Sequence, residues 1–168
     1  EKAVLAHRAS HDALTTLPNR ESFDQRLAQR IAAAAAQDDR FALMFIDADN
    51  FKAANDNFGH AAGDAVLVAM SQCIKDTLGH NDFAARIGGD EFIVIVDRLH
   101  AGTATDELAR RIRDCVAQPV ALPGGETYRA SVSVGVAVYP DDGSDATALL
   151  TAADAAMYAD KLSSRSRK

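Results

Sequence analysis

No apolar run in these 168 residues approaches the roughly 20 needed to cross a membrane. No charged-then-apolar leader opens the chain. The expectation is a chain with no membrane segment. Positive charge is also short: 18 Lys and Arg stand against 24 Asp and Glu, a formal net charge of −6. That excludes a typical duplex nucleic-acid binder, whose face is basic. It also means that a polyanionic ligand would need local cations or a metal. Cysteine is nearly absent. Cys73 and Cys115 each sit among apolar residues at helical spacing (Met70, Ile74; Ile112, Val116). They read as small core hydrophobes, without a thiol or histidine at ligand spacing for a disulfide or a metal site. Unpaired thiols fit the reducing cytosol, so a cytoplasmic location is expected. His7, His11, His60, His80 and His100 are scattered and read as loop or capping residues. The phosphate-cradling glycine motifs of P-loop and dinucleotide-binding proteins are missing. Asp47 and Asp49 could start a calcium loop, but Phe51 and Lys52 occupy its fifth and sixth positions, where an acid or Asn and then Gly are required. No internal repeat is present.

What is there is a single domain's worth of ordinary globular sequence, 48% hydrophobic and 25% charged. Residues 1–11 read as a short linker helix that opens without a start signal, as a piece of a longer protein would. Pro18 and Asn19 mark a turn, with Asn19 placed to cap the next helix. Phe23, Leu27 and Ile31 then recur every four residues, giving a helix that ends near Gln37. Phe41 to Ile46 is continuously apolar, the mark of a central strand buried on both faces. It runs into a dense polar stretch, Asp47 to His60. A helical stripe of Val66, Met70, Cys73, Ile74 and Leu78 stops at Gly79. A third stripe, Leu108, Ile112, Cys115 and Val116, closes at Pro119. Val120 to Leu122 reads as a short edge strand, and the alternation Val132, Val134, Val136, Val138 as a longer one. A helix from about Asp145 to Lys161 and a frayed basic tail, Ser163 to Lys168, end the chain. Strands and helices in this order predict an α+β domain with a mainly antiparallel sheet.

The stretch Arg86-Ile87-Gly88-Gly89-Asp90-Glu91-Phe92 lies between two apolar strands. The glycine pair predicts a tight hairpin turn with positive φ, its tip bare enough for a ligand to reach the backbone. If that hairpin pairs beside the central strand, Asp90 and Glu91 converge with Asp47. Clustered carboxylates repel and raise one another's pKa, and a divalent metal relieves this; magnesium suits carboxylates with phosphate completing its shell. The alternative reading is separate, solvated surface acids.

The same stretch resembles, letter for letter, the naming motif of the GGDEF family of diguanylate cyclases. Phe45 to Asp56, Phe58-Gly59-His60, Gly63-Asp64, Ser133 to Ala137 and Ala153 to Tyr158, followed by Lys161 and Arg165, resemble its other motifs at the usual offsets. The resemblance covers about Asp12 to Arg165 and makes residues 12–168 the GGDEF domain. It implies a nucleotide-cyclase-like palm: a five-stranded, mostly antiparallel sheet wrapped by helices. It implies condensation of two GTP to cyclic di-GMP, by two such domains facing each other as a transient homodimer. Residue by residue, Asp47, the Ala48 carbonyl and Asp90 would bind Mg2+ (Mn2+ as the alternative). Glu91 would share that site or help to remove the ribose 3′-hydroxyl proton. Asn55 and Asp64 would read guanine. Lys52, Lys161 and Arg165 would hold the triphosphate, with Lys52, Asp90 and Glu91 the catalytic set. Gly88 and Gly89 would let the backbone lie against the nucleotide. The Leu17-Pro18-Asn19-Arg20 turn and the Tyr139 to Gly143 loop resemble GGDEF domains fused to cyclic di-GMP phosphodiesterases. Fused sensory or phosphodiesterase domains are therefore expected partners, and a catalytically silent GTP-binding regulatory module is the rival function. Four positions depart from the family pattern. Gly79 stands where product-inhibited members carry the Arg of Arg-x-x-Asp, Thr16 and Ser164 stand for Gly, and Asp160 for Ala.

Overall fold

The computed structural model describes residues 1–97 and 104–166. In chain order its elements are α1 (Lys2–Ser10), α2 (Arg20–Gln37), β1 (Phe41–Ala48), α3 (Phe51–Phe58), α4 (His60–Thr77), β2 (Phe83–Arg86), β3 (Glu91–Val96), α5 (Ala104–Val116), β4 (Val120–Ala121), β5 (Thr127–Tyr128), β6 (Val132–Tyr139) and α6 (Ala146–Ser166). The main sheet has the order β2-β3-β1-β6, and every neighbouring pair is antiparallel.

Strand β1 is buried along all eight residues, as its unbroken apolar run predicts. Its side chains alternate between two cores. Met44 and Ile46 join Val66, Met70 and Ile74 of α4 and Ile112 of α5. Leu43 and Phe45 join Phe23 and Leu27 of α2 and Leu149, Ala153 and Met157 of α6. The sheet is thus a middle layer with helices on both faces. The α6 helix lies very close to β6. A Cβ on Gly135 would stand 2.1 Å from the Met157 amide nitrogen and 2.2 Å from the Ala153 carbonyl oxygen. That approach sets the depth at which the end of α6 passes over the sheet.

The α+β class holds, and several finer expectations change. The main sheet has four strands among the described residues, not five. Residues 120–128 turn back through Pro123-Gly124-Gly125, with Gly125 at φ 88°, into a separate two-stranded hairpin of β4 and β5. The polar stretch after β1 contains a helix, α3, whose few apolar residues hide its period. The basic tail is helical as far as Ser166. Cys73 and Cys115 are joined as a disulfide, not kept as free thiols. Each is half-buried at the edge of its helix's buried stripe, and packing α4 against α5 brings their Cα atoms to 5.7 Å, within bridging range. A separation of 42 residues hid this pairing, and the inference of a reducing compartment loses the free thiols it rested on. His100 lies outside the described residues.

Candidate active site

The carboxylates expected to converge do so at one end of the sheet. Pairing of β1 with β3 sets Asp47 opposite Glu91, and the Ala48 amide donates to the Asp90 carbonyl at 3.2 Å. The hairpin tip differs from the expected two-residue turn. The last ladder pair is Arg86 with Phe92, the Ile87 amide donates to the Glu91 carbonyl at 3.0 Å, and the loop is the four residues 87–90. Neither Gly88 nor Gly89 has positive φ. Gly88 leaves room for Glu91 instead: a Cβ there would stand 2.6 Å from a Glu91 carboxylate oxygen and would push that carboxylate aside.

Arg86 holds this loop in shape. Its guanidinium donates to the Gly88 carbonyl at 3.2 Å and the Gly89 carbonyl at 2.7 Å, and to both carboxylate oxygens of Asp12 at 3.1 Å. Asp12 in turn accepts from the Thr15 amide and hydroxyl. Burial pushes the Asp12 carboxyl up, but Thr15 and Arg86 outweigh it and hold it below the ordinary carboxylate range. The turn entering the domain is therefore wired to the tip of the acidic hairpin. Asp12 and Arg86 are 74 residues apart, so no local spacing in the sequence marks them as a pair. In the same turn Thr16 has φ 63°, unusual for a β-branched residue. Lys75 braces it by donating to the Thr16 hydroxyl and the Thr15 carbonyl.

Lys161 enters the carboxylate cluster from α6. Its Nζ donates to Asp47 Oδ2 at 2.6 Å and reaches the Ala48 carbonyl at 3.4 Å. Asp160 anchors that turn of α6 by accepting from the Val134 amide and from Arg113, both at 2.8 Å. The departure from the family pattern at Asp160 thus supplies an anchor. Asp49 accepts from the hydroxyls of Ser131 and Ser133 and fixes the chain as it leaves β1. Beside it, Asp49, Asn50, Lys161, Ser164 and Arg165 line a small cleft. Lys52 is exposed in the first turn of α3, away from the carboxylates' hydrogen bonds.

Asn55 of α3 and Asp64 of α4 flank a sharp corner at Gly59, φ 90°. A Cβ on Gly63 would fall 1.8 Å from Asn55 Oδ1, so the Asn55 amide occupies space that any side chain at 63 would take. Asp64 is exposed beside it.

The acids perturb one another as clustered carboxylates must. Burial, then the charge of Asp47 and a hydrogen bond to it, pushes the Asp90 carboxyl up to about 6. Burial, then the charges of Asp47 and Asp154, raises Glu91 against the pull of Arg20 and Lys161. Glu91 also lines a 290 Å³ cavity with Arg20 and Asp154. Asp47 Oδ1 is buried and finds no donor among the described residues while both acids are ionised. No three His, Cys, Asp or Glu side chains among the described residues form a metal cage by themselves. The oxygen donors at hand are the carboxylates of Asp47 and Asp90 and the Ala48 carbonyl. An unsatisfied carboxylate oxygen, a hard-oxygen donor set and an ammonium already drawn to it fit magnesium completed by substrate phosphates.

A pH dependence follows. The folded domain holds on Asp90 a proton that the unfolded chain releases at the ordinary carboxylate pKa. Without metal, stability should therefore fall as pH rises between about 4 and 6. Glu91 acts in the same direction. The opposite contribution of Asp12 is complete above the ordinary carboxylate pKa, so the two windows separate. Urea unfolding in chelator across this range should show the decline, and Asp90→Asn should flatten it. Parallel curves for the two proteins would refute the assignment.

The family model described as "Diguanylate cyclase, GGDEF domain" matches residues 9–167. Diguanylate cyclase TpbB of Pseudomonas aeruginosa (strain UCBPP-PA14) is 42% identical over 165 residues, which are 98% of this chain and 38% of that protein. The bifunctional diguanylate cyclase/cyclic di-GMP phosphodiesterase MucR of P. aeruginosa is 43% identical over 155 residues, 92% of this chain and 22% of MucR. The chain thus spans well under half the length of these curated relatives. The solved GGDEF domain of TpbB superposes with a TM-score of 0.88 at 41% identity, covering 91% of this chain and 89% of that one.

Proposed function

This chain belongs to the GGDEF family of diguanylate cyclase domains, and on that premise we propose that it condenses two GTP to cyclic di-GMP with release of two pyrophosphates, on the cytoplasmic side where GTP is supplied. The observation that carries the reading is the junction of Asp47, Ala48 and Asp90 with the cation Lys161 at one end of the sheet. Asp47, the Ala48 carbonyl and Asp90 would hold Mg2+ or Mn2+. Bound there, the metal would neutralise phosphoryl oxygens and make a coordinated hydroxyl more acidic. Glu91, its carboxyl already raised, is suited to accept the ribose 3′-hydroxyl proton. Lys161, Arg165 and the exposed Lys52 would steady the triphosphate. Arg86 keeps the Gly88-Gly89 backbone in place beside it. Each 3′-hydroxyl attacks the other nucleotide's α-phosphorus, so two domains must face each other about a two-fold axis. The test is incubation with GTP and Mg2+ over a dilution series, with separation of the products. Cyclic di-GMP whose specific rate rises with protein concentration is expected. GTP binding without product would favour the silent regulatory module, for which fusion to a phosphodiesterase, as in MucR, is a precedent.

Feedback by product through the Arg-x-x-Asp position should be weak. Gly79 brings no charge there, and Asp82 is already committed. Its Oδ2 accepts from the Gly79 amide at 2.8 Å and its Oδ1 from the Asp97 amide at 3.0 Å. A cavity of about 600 Å³ adjoins them, with His80, Glu107 and Arg111 among its lining. One charge-assisted phosphate contact typically contributes about 1.5–3 kcal/mol, so Gly79→Arg should tighten cyclic di-GMP binding by roughly 10- to 150-fold. Micromolar binding by the unmodified domain in calorimetry at neutral pH, lost on Asp82→Ala, would contradict this.

A further inference from the structure

We propose that Lys161 is an internal counter-ion seated at the metal position, so that a divalent cation enters the site readily only when a nucleotide phosphate gives Lys161 another partner. The inference rests on the assignment of Asp47, Ala48 and Asp90 to the metal and adds a function for the lysine before substrate arrives.

The geometry is specific. The Lys161 ammonium engages Asp47 Oδ2 at 2.6 Å and the Ala48 carbonyl at 3.4 Å, two of the three donors a metal would use. The pair is largely buried, the side chains of Lys161 and Asp47 being 19% and 13% exposed. Lys161 is not a loose surface side chain that happens to reach inward. Gly135 lets α6 lie against the sheet, and Asp160 ties the same turn to the Val134 amide and Arg113. The helix delivers the ammonium to this spot.

An ammonium and a divalent cation cannot share Asp47 at such distances without strong repulsion in a poorly hydrated site. The metal must displace the lysine. Removing one partner of a buried ion pair leaves the other charge uncompensated, which is costly. The small cleft beside Lys161, shared with Asp49, Asn50, Ser164 and Arg165, is where the ammonium can move without leaving α6. Filled by a nucleotide phosphate, that cleft compensates the displaced charge. Empty, it does not. Metal and triphosphate are therefore positively coupled, and by linkage each tightens the other. The domain does not hold a bare metal between turnovers; it takes up metal and nucleotide together.

The test measures metal without nucleotide, so it does not depend on activity. Mn2+ is titrated into the nucleotide-free domain and the free ion is followed by electron paramagnetic resonance. Lys161→Met removes the charge and keeps the length, and should bind Mn2+ about 5- to 150-fold more tightly than the unmodified domain, the usual span of a coupling of this kind. Lys161→Gln should behave alike, and covers the case in which the methionine variant does not fold. Lys161→Arg keeps the charge and should stay weak. Neutral variants that bind nucleotide-free Mn2+ no more tightly than the unmodified domain would overturn the inference. Adding Asp47→Asn to Lys161→Met separates this from failure of the metal assignment. Tight Mn2+ binding that survives Asp47→Asn would mean that the ion sits elsewhere, and would remove the assignment as well.

Discussion

Replacing Asp90 should cost the domain at least about 10²-fold in turnover, the scale of losing one group that stabilises charge in the transition state, while leaving the metal-free fold no less stable. The two halves of this result have one cause. Asp90 is half-buried at the end of a four-residue loop, beside the carboxylate of Asp47, and burial with that neighbour raises it to about 6. A carboxylate so placed is unfavourable for folding at neutral pH and is suited to a site awaiting positive charge. Asp90→Asn keeps the shape and removes the repulsion, so its thermal midpoint in chelator at pH 7 should equal or exceed that of the unmodified domain. Asp90→Ala should lose turnover at least as completely. Pyrophosphate release under saturating GTP and Mg2+ measures the first half, and thermal melting the second. Undiminished cyclic di-GMP production by Asp90→Ala would refute the role. A large loss of stability in Asp90→Asn would mean that the residue holds the loop together, a task the structure gives to Arg86.

The parts of this site that could be read from the sequence are those fixed by local spacing. The apolar run before Asp47 has to be a central strand, because strands alternate and only burial on both faces tolerates six apolar residues in succession. A strand on each side of Gly88-Gly89 has to be a hairpin, and pairing it beside β1 brings the acids together. What could not be read depends on contacts across long sequence separations. The tip is an open loop whose carbonyls are gripped by Arg86, itself tied to Asp12, and the Glu91 carboxylate fills the space a side chain at 88 would take. The link between Lys161 and Asp47 spans 114 residues and follows from how deeply α6 settles at Gly135. Cys73 and Cys115 looked like core residues because each neighbours a buried stripe, yet both are only half-buried, and the packing of α4 on α5 makes them a pair.

Discrimination for guanine should be as large as the chemistry of this corner allows, up to about 10⁴-fold for GTP over ATP, because a site built on hydrogen bonds rejects a base that leaves its polar groups unpaired. Guanine presents N1–H and N2–H on one edge, and a carboxylate can accept both; adenine has no N1 donor. Asp64 offers such a carboxylate, exposed at the start of α4. Asn55, one turn before the Gly59 corner, offers an amide that can both donate and accept. The close fit of Asn55 over Gly63 makes the prediction sharper than loss of either side chain alone. Gly63→Ala adds only a methyl group, yet that methyl would sit 1.8 Å from Asn55 Oδ1. Asn55 is the end of a movable side chain, so the fold can survive by turning the amide away, and guanine affinity should fall with it. Asp64→Asn replaces one acceptor by a donor facing N1–H or N2–H and should lose more affinity for GTP than for ATP. Calorimetry with a non-hydrolysable GTP analogue and its adenine counterpart measures each of these. Equal affinities for the two bases in the unmodified domain, or guanine binding unchanged in Gly63→Ala with its melting temperature intact, would show that the base is read elsewhere.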